Sequence, residues 1–181
     1  MRRFLWLIPL VLFLSVPATA QVAMPSDTPQ IEVFGGYSYA LADFSNDNLK
    51  LNGWNFSLTE NVNNWFGGTA DFSGHYAQPS NTNVNAHMFL FGPTFALRRS
   101  RSVTPFTHAL LGGIHASKGY VGVSEPVTRF AAAFGGGVDL KIHERVAIRV
   151  FQADYFLTPF FGLRQDNLRL SGGIVFRFGK K

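Results

Sequence analysis

One short stretch of the chain has residue types and spacing suited to ester hydrolysis. In Ile114-His115-Ala116-Ser117-Lys118-Gly119, a histidine and a serine stand two residues apart. On a β-strand, that spacing puts both side chains on one face. A serine hydroxyl is a weak nucleophile and needs a neighbouring base, a role that histidine fills. Glu125 is the conceivable third member, an acid that would orient the imidazole. A two-residue pattern recurs easily by chance, however, and a histidine and a serine at a strand end without catalytic duty is the plainer reading. The expectation is therefore that the protein is not an enzyme, with no catalytic, cofactor-binding or metal-binding residue assigned. His75, His87, His108 and His143 complete the histidines. None shows H-x-x-x-H or a carboxylate spacing typical of zinc. His143 is expected in a solvated turn and the others along a lumen or its rim. The chain has no cysteine, which removes disulfides and thiol chemistry.

The elements that would carry these residues are strands. From Asn167 to Phe178 the sequence alternates strictly, with Leu168, Leu170, Ile174, Phe176 and Phe178 on one face and Asn167, Arg169, Ser171 and Arg177 on the other. A period of two identifies a strand. Eight such segments are predicted, at 31–41, 51–59, 65–77, 86–97, 105–117, 128–140, 146–157 and 167–178. Their lengths suit tilted strands that cross a bilayer. Trp54, Phe56 and Leu58 oppose Asn55, Ser57 and Thr59; Phe72 and Tyr76 oppose Asp71, Ser73 and His75; Phe130 and Phe134 oppose Arg129, Ala131, Ala133 and Asp139. The fifth and seventh segments are less regular. In the seventh, Arg149 and the pair Gln152/Asp154 have opposite parity, and a β-bulge between them would return all three to one face.

Short connections are predicted near 60–64, 98–104 and 141–145, and longer ones near 42–50, 78–85, 118–127 and 158–166. That asymmetry is expected of short periplasmic turns and longer outer loops. Trp54, Trp65, Tyr39, Tyr76, Tyr120 and Tyr155 fall near predicted strand ends, where aromatic residues favour a membrane–water interface.

The ends of the chain fix the compartment. Arg2 and Arg3 precede an apolar run, and Ala18-Thr19-Ala20 supplies a small-residue cleavage site. Residues 1–20 are thus expected to be a secretory signal peptide, and 21–30 a periplasmic linker. The remaining chain, about 160 residues, has the length of one domain. The formal charge is +5, with the basic residues dispersed except at Arg98-Arg99-Ser100-Arg101. Dispersal and export together argue against nucleic acid as a partner. The basic turn is expected on the periplasmic side, either against anionic headgroups or merely solvated. Recurrent glycine pairs are consistent with strong strand coiling, not with a phosphate loop, because neither G-x-G-x-x-G nor G-x-x-x-x-G-K occurs.

An apolar face opposite a polar one suits either a membrane barrel with a polar interior or a soluble lipocalin-like barrel with an apolar cavity. The apolar face is too rich in phenylalanine for one small cavity, and the other face too poor in lysine and glutamate for a solvated surface. The predicted fold is all-β: a closed eight-stranded antiparallel up-and-down transmembrane β-barrel over 31–178, with 179–181 as a C-terminal extension. Glu32, Asp71, Asp139 and Asp154 would then meet Arg129, Arg149, Arg169 and Arg177 inside. They would form either a proton or ion path or a network that keeps buried charges paired; in so narrow a barrel the network is expected.

The segments Phe34-Gly35-Gly36-Tyr37-Ser38-Tyr39, Trp65-Phe66-Gly67-Gly68-Thr69-Ala70-Asp71-Phe72 and Phe176-Arg177-Phe178 resemble the small outer-membrane barrels of the OmpA and OmpX type. The resemblance covers about residues 31–178. It implies residence in the bacterial outer membrane and a non-enzymatic role that is structural, adhesive or that of a minor pore. It also implies a monomer whose partners are outer-membrane lipids and lipopolysaccharide, with the assembly machinery reached through the C-terminal strand, and no cofactor. In those barrels a terminal phenylalanine acts as an assembly signal; here Gly179-Lys180-Lys181 follow it. The alternative resemblance is of His115-x-Ser117 to the motif of outer-membrane lipid A 3-O-deacylases, which implies an esterase using Ser117 and His115.

Overall fold

The computed structural model describes residues 28–44, 47–78, 82–120, 123–160 and 163–180. The predicted leader and most of the linker lie outside the described residues, as does Lys181. The described residues form β1 (Ile31–Phe44), β2 (Asp47–Asn61), β3 (Phe66–Ala77), β4 (Thr82–Ala96), β5 (Val103–Tyr120), β6 (Val123–His143), β7 (Val146–Phe160) and β8 (Leu163–Phe178). Each strand pairs antiparallel with the next, and β8 pairs back onto β1, closing the barrel. Closure leaves no strand edge unpaired, which is the condition for a sheet to cross lipid.

Alternation decides which way each side chain points. Phe134, Leu170 and Phe176 are 48%, 44% and 48% exposed on the outer surface, whereas Asp71 and Arg169 are 1% and 0% exposed inside. Phe72 also faces outward, half-covered by Phe56, Phe89 and Phe91. The apolar face is therefore the outer wall, opposite to the lipocalin arrangement. The bulge expected in β7 is present: the register with β8 shifts between Arg149 and Gln152. Val150 and Phe151 both point outward there, while Arg149, Gln152 and Asp154 are all buried.

At one end the connections are short and held locally. In the β2–β3 turn, Asn63 Oδ1 accepts from the backbone N–H groups of Trp65 and Phe66 at 3.0 and 2.8 Å. Between β4 and β5, Ser100 Oγ accepts from the N–H groups of Ser102 and Val103, both at 3.3 Å. Between β6 and β7 only Glu144 and Arg145 intervene. At the opposite end the structure corrects the sequence reading. The segments taken as loops, 42–50, 78–85, 118–127 and 158–166, are largely strand. β5 and β6 run 18 and 21 residues and pair out to Tyr120↔Val123. The physical reason is that the hairpin ladder continues wherever backbone groups can pair, whatever the side-chain polarity. Asn, Ser and Pro content had marked where the strands leave the apolar band, not where they end.

Among the glycines that close packing or backbone conformation demands, one lies at the seam of β1 with β8 and one just past the end of β8. At the closing seam, a Cβ on Gly36 would lie 2.2 Å from the Gly172 carbonyl oxygen, so no side chain fits. Gly179 has φ +69°, a left-handed turn that other residues adopt at a cost.

Phe134 stands on the outer face of β6 between Phe130 and Val138. Phe134→Arg is expected to destabilise the inserted barrel by about 2–4 kcal/mol if that site lies at the bilayer midplane, measured by denaturant unfolding from lipid vesicles. An unchanged midpoint would show that this face does not meet lipid.

Candidate functional site

The interior is a stack of paired charges that grows from residues of one parity on each strand. Nearest the short turns, Glu32 on β1 accepts from Arg177 Nε at 2.9 Å, from Arg98 Nη2 at 2.7 Å and from Asn61 Nδ2 at 3.0 Å. Arg98 also donates to the Asn64 carbonyl at 3.0 Å and to Asn61 Oδ1 at 3.1 Å. The basic turn thus divides: Arg99 and Arg101 are exposed, while Arg98 folds back into the lumen mouth. Its residue type alone suggested a solvated or headgroup-facing side chain; the carboxylate of Glu32 draws it inward instead.

One layer further in, Arg149 forks onto Asp139 at 2.8 and 3.1 Å and donates to Gln152 Oε1 at 2.7 Å. Its guanidinium carbon lies 4.3 Å from the Phe34 ring centre and 4.2 Å from that of Phe106, a cation between two aromatic faces. Gln152 Nε2 then donates to Asp154 Oδ2 at 2.7 Å. Asp154 also receives Arg169 Nη2 at 2.7 Å and faces His108 Nε2 at 2.8 Å. Arg169 reaches across the barrel to Asp71 at 2.8 and 3.2 Å and to Ser73 Oγ at 3.0 Å, with Phe156 beneath it at 4.8 Å. Asn55 donates to Asp71 at 2.9 Å and ends the chain. Two smaller hydrogen-bonded chains line the wall beside the stack: Thr59, Thr69 and Thr94 are linked at 2.8 and 2.6 Å, and Ser171, Ser38 and His75 at 3.0 and 2.9 Å.

Seven of the eight charges expected inside are therefore joined as acid–base partners: Asp71, Asp139, Asp154, Arg149 and Arg169 in the stack, and Glu32 with Arg177 at its periplasmic end. Arg129 is the exception. It has the inward parity of β6 but lies beyond Ala131 toward the outer end of the barrel, is exposed, and donates to the Thr128 carbonyl at 3.1 Å. Four carboxylates and four guanidiniums meet in this interior once Arg98 takes its place.

The lumen is not lined by small residues throughout. Met88, Leu90, Leu110, Ile114, Ala131, Ala133 and Phe156 form a buried apolar cluster inside the wall of β4 to β7, and Phe34, Ala147 and Val175 form a second. Parity would have located several of them. Phe34 shares the side of Glu32, and Leu110 and Ile114 share that of His108. Between the layers lies a cavity of about 20 Å³, lined among others by Asp71, Asp139, His108 and Arg149. That is space for about one water, not for a file of ions.

His115 and Ser117 sit outside this stack, on the outward face of β5. His115 is exposed, and its Nδ1 is 2.9 Å from Thr128 Oγ1 on β6. The imidazole is thus partnered by a hydroxyl where an esterase triad would place an acid. Glu125 is opposite Lys118 in the strand register; its side chain lies outside the described residues. Of the remaining histidines, His75 and His108 are inside, His87 packs edge-on against Tyr76 on the outside, and His143 is exposed at the end of β6. Among the described residues no group of three or more His, Asp or Glu side chains converges to hold a metal.

Removing one partner from this network leaves the other charge buried and alone. Arg169→Ala is expected to cost about 3–5 kcal/mol by exposing Asp71 and Asp154 to each other. Replacing all three together, as Arg169→Met with Asp71→Leu and Asp154→Leu, is expected to cost much less. Equilibrium unfolding of both variants in lipid vesicles checks the difference, and equal losses would show that packing, not pairing, sets the cost.

Comparison with known proteins places this geometry. Among solved structures, Neisserial surface protein A matches with a TM-score of 0.72 at 18% identity, over 82% of this chain and 97% of that one. The attachment invasion locus protein Ail of Yersinia pestis matches at 0.59 and 21%, over 82% and 99%. The N-terminal β-barrel domain of Pseudomonas aeruginosa OprF matches at 0.54 and 11%, over 82% and 98%. Identities this low establish a shared fold. By sequence, no curated protein matches. The family model described as outer membrane protein beta-barrel domain matches residues 7–178. With its apolar wall outward, its charges paired within and its strands closed, the chain belongs to the outer-membrane β-barrel domain family and resides in the bacterial outer membrane.

Proposed function

We propose that the protein is a non-enzymatic envelope barrel that acts by binding at the cell surface, through the hairpins that carry its strands beyond the membrane. The observation that carries this reading is the contrast between the two parts of the molecule. The lumen is occupied by paired ions and apolar side chains, with room for about one water. The strands nevertheless continue past the apolar band. On β5 and β6 the paired ladder from Ala116↔Val127 to Tyr120↔Val123 adds about five residues per strand, roughly 16 Å along the strand. Such extensions serve no transport through a filled lumen and carry Ser117, Lys118, Ser124 and Glu125 beyond the apolar band. A structural or adhesive role fits this better than that of a pore. Lipids and lipopolysaccharide are the partners of the outer wall, β8 is the strand offered to the assembly machinery, and the barrel works as a monomer.

Ail, whose barrel has a similar fold, is known in complex with the heparin analogue sucrose octasulfate. A sulfated polysaccharide is therefore a reasonable first probe. The test exchanges the four outer hairpin tips singly for short Gly-Ser turns and measures binding of bacteria displaying each variant to heparin-coated and uncoated host-cell surfaces. One or more exchanges are expected to abolish attachment while the barrel still migrates as a heat-modifiable band. Undiminished attachment by all four variants would remove the adhesive reading. In planar bilayers the intact protein is expected to give no porin-like conductance, and large steady channels would overturn the filled-lumen interpretation.

A second reading rests on one observation: His115 and Ser117 share the outward face of β5 at the outer margin of the apolar band, where an esterase acting on outer-leaflet lipid would need them. Lipid A mass spectrometry on cells expressing the wild type and Ser117→Ala tests it. No loss of an acyl chain is expected in either. Deacylation by the wild type alone would establish the esterase.

A further inference from the structure

We propose that the periplasmic mouth of the barrel is a binding site for a phosphate-class oxyanion. A pocket of about 240 Å³ opens there, lined by Pro29, Lys141, Glu144, Arg145, Arg177 and Lys180 with Gly179. Four of these side chains are basic and one is acidic. Lys141 and Arg177 have the inward parity of β6 and β8, and Arg145 joins them at the pocket from the β6–β7 turn. The turn at Gly179, φ +69°, redirects the chain after β8 and sets Lys180 at the same mouth, 3.7 Å from Glu144.

The ion pairs beneath the pocket add to its lining, with Arg177 common to both. Glu32 is shared by two guanidiniums, those of Arg98 and Arg177. At this end one carboxylate serves two guanidiniums, so positive charge is locally in excess although the four acids and four guanidiniums of the lumen balance as a whole. Arg177 is only 7% exposed, and its Nη2 has no hydrogen-bond partner among the described residues; the same holds for Arg98 Nε. Buried guanidinium nitrogens are ordinarily satisfied, and an unpartnered one calls for an acceptor. A tetrahedral oxyanion matches that need, because guanidinium and ammonium groups together recognise phosphate oxygens through charge-assisted hydrogen bonds. Glu144 opposes such a ligand only weakly, being exposed and already directed to Lys180.

The anion has two possible sources, a free periplasmic phosphate or the headgroup of an inner-leaflet phospholipid, and the experiment separates them. The protein is placed in phosphatidylcholine nanodiscs and titrated calorimetrically with inorganic phosphate, then with pyrophosphate. Saturable binding is expected. Lys141→Gln with Arg145→Gln, both outside the buried network, is expected to weaken it about tenfold, for two partly exposed charges removed. Arg99→Gln with Arg101→Gln, on the exposed turn, is expected to leave it unchanged. Repeating the titration in phosphatidylglycerol nanodiscs assigns the source. Competition there identifies the lipid headgroup, and unaltered affinity identifies the free anion; either supports the site. Absence of binding overturns the proposal, as does binding that both double variants reduce equally, because that would be diffuse electrostatics.

Discussion

Everything in this molecule depends on the pairing of its last strand with its first. A sheet with an open edge cannot remain in hydrocarbon, because unpaired N–H and C=O groups have no water to turn to. The β1–β8 ladder, from Ile31↔Phe178 to Leu41↔Leu168, removes that edge. Closing only eight strands imposes a narrow cylinder. The glycine contacts at Gly36 and Gly172 are the local expression of that curvature, and the packed lumen is its global one. Charges placed inside have nowhere to find water and must find each other.

That necessity explains the division of labour between faces. The outer wall meets a uniform solvent, so any bulky apolar residue serves, and phenylalanine recurs with little further specification. The inner wall has no solvent, so its residues must be individually matched. Arg149 is held by Asp139, Gln152 and two aromatic rings; Arg169 by two aspartates, a serine and a third ring. Function, where it requires specificity, is then left to the regions that neither face constrains: the hairpins beyond the bilayer and the periplasmic mouth.

Much of this was legible in the sequence because a period of two is a strong signal. The eight strands, the direction of each face and the bulge in β7 follow from parity alone. The bulge is the instructive case: Arg149 and Gln152 can both face inward only if the chain gains a residue between them, and Val150 and Phe151 are both outside. What parity could not give was the length of the strands, since polar residues pair their backbones as readily as apolar ones do. Nor could it give the fate of residues near the rims. Arg98 and Arg129 illustrate the two errors. Arg98, read as part of an exposed turn, is captured by Glu32, while Arg129, with inward parity, is left outside the network. The difference lies in which carboxylate is within reach, a property of three-dimensional closure. His115 and Ser117 were correctly placed on one face of β5, but only the fold shows that the imidazole's neighbour is Thr128.

The span of the ionic contacts along the chain bears on how the barrel is built. Arg169 and Asp71 are 98 residues apart, Ser171 and Ser38 are 133, and Arg177 and Glu32 are 145. None of these bonds can form while β8 is still unpaired. An insertion intermediate with seven strands in place would hold Asp71 and Asp154 without their guanidinium partner, at a depth where isolated charge is costly. The arrival of β8 supplies that partner, so the ion pairs favour the last strand pairing together with the backbone ladder. The salt-bridge stack thereby couples the two ends of the chain: acids carried by early strands are satisfied only by bases that the last strand brings.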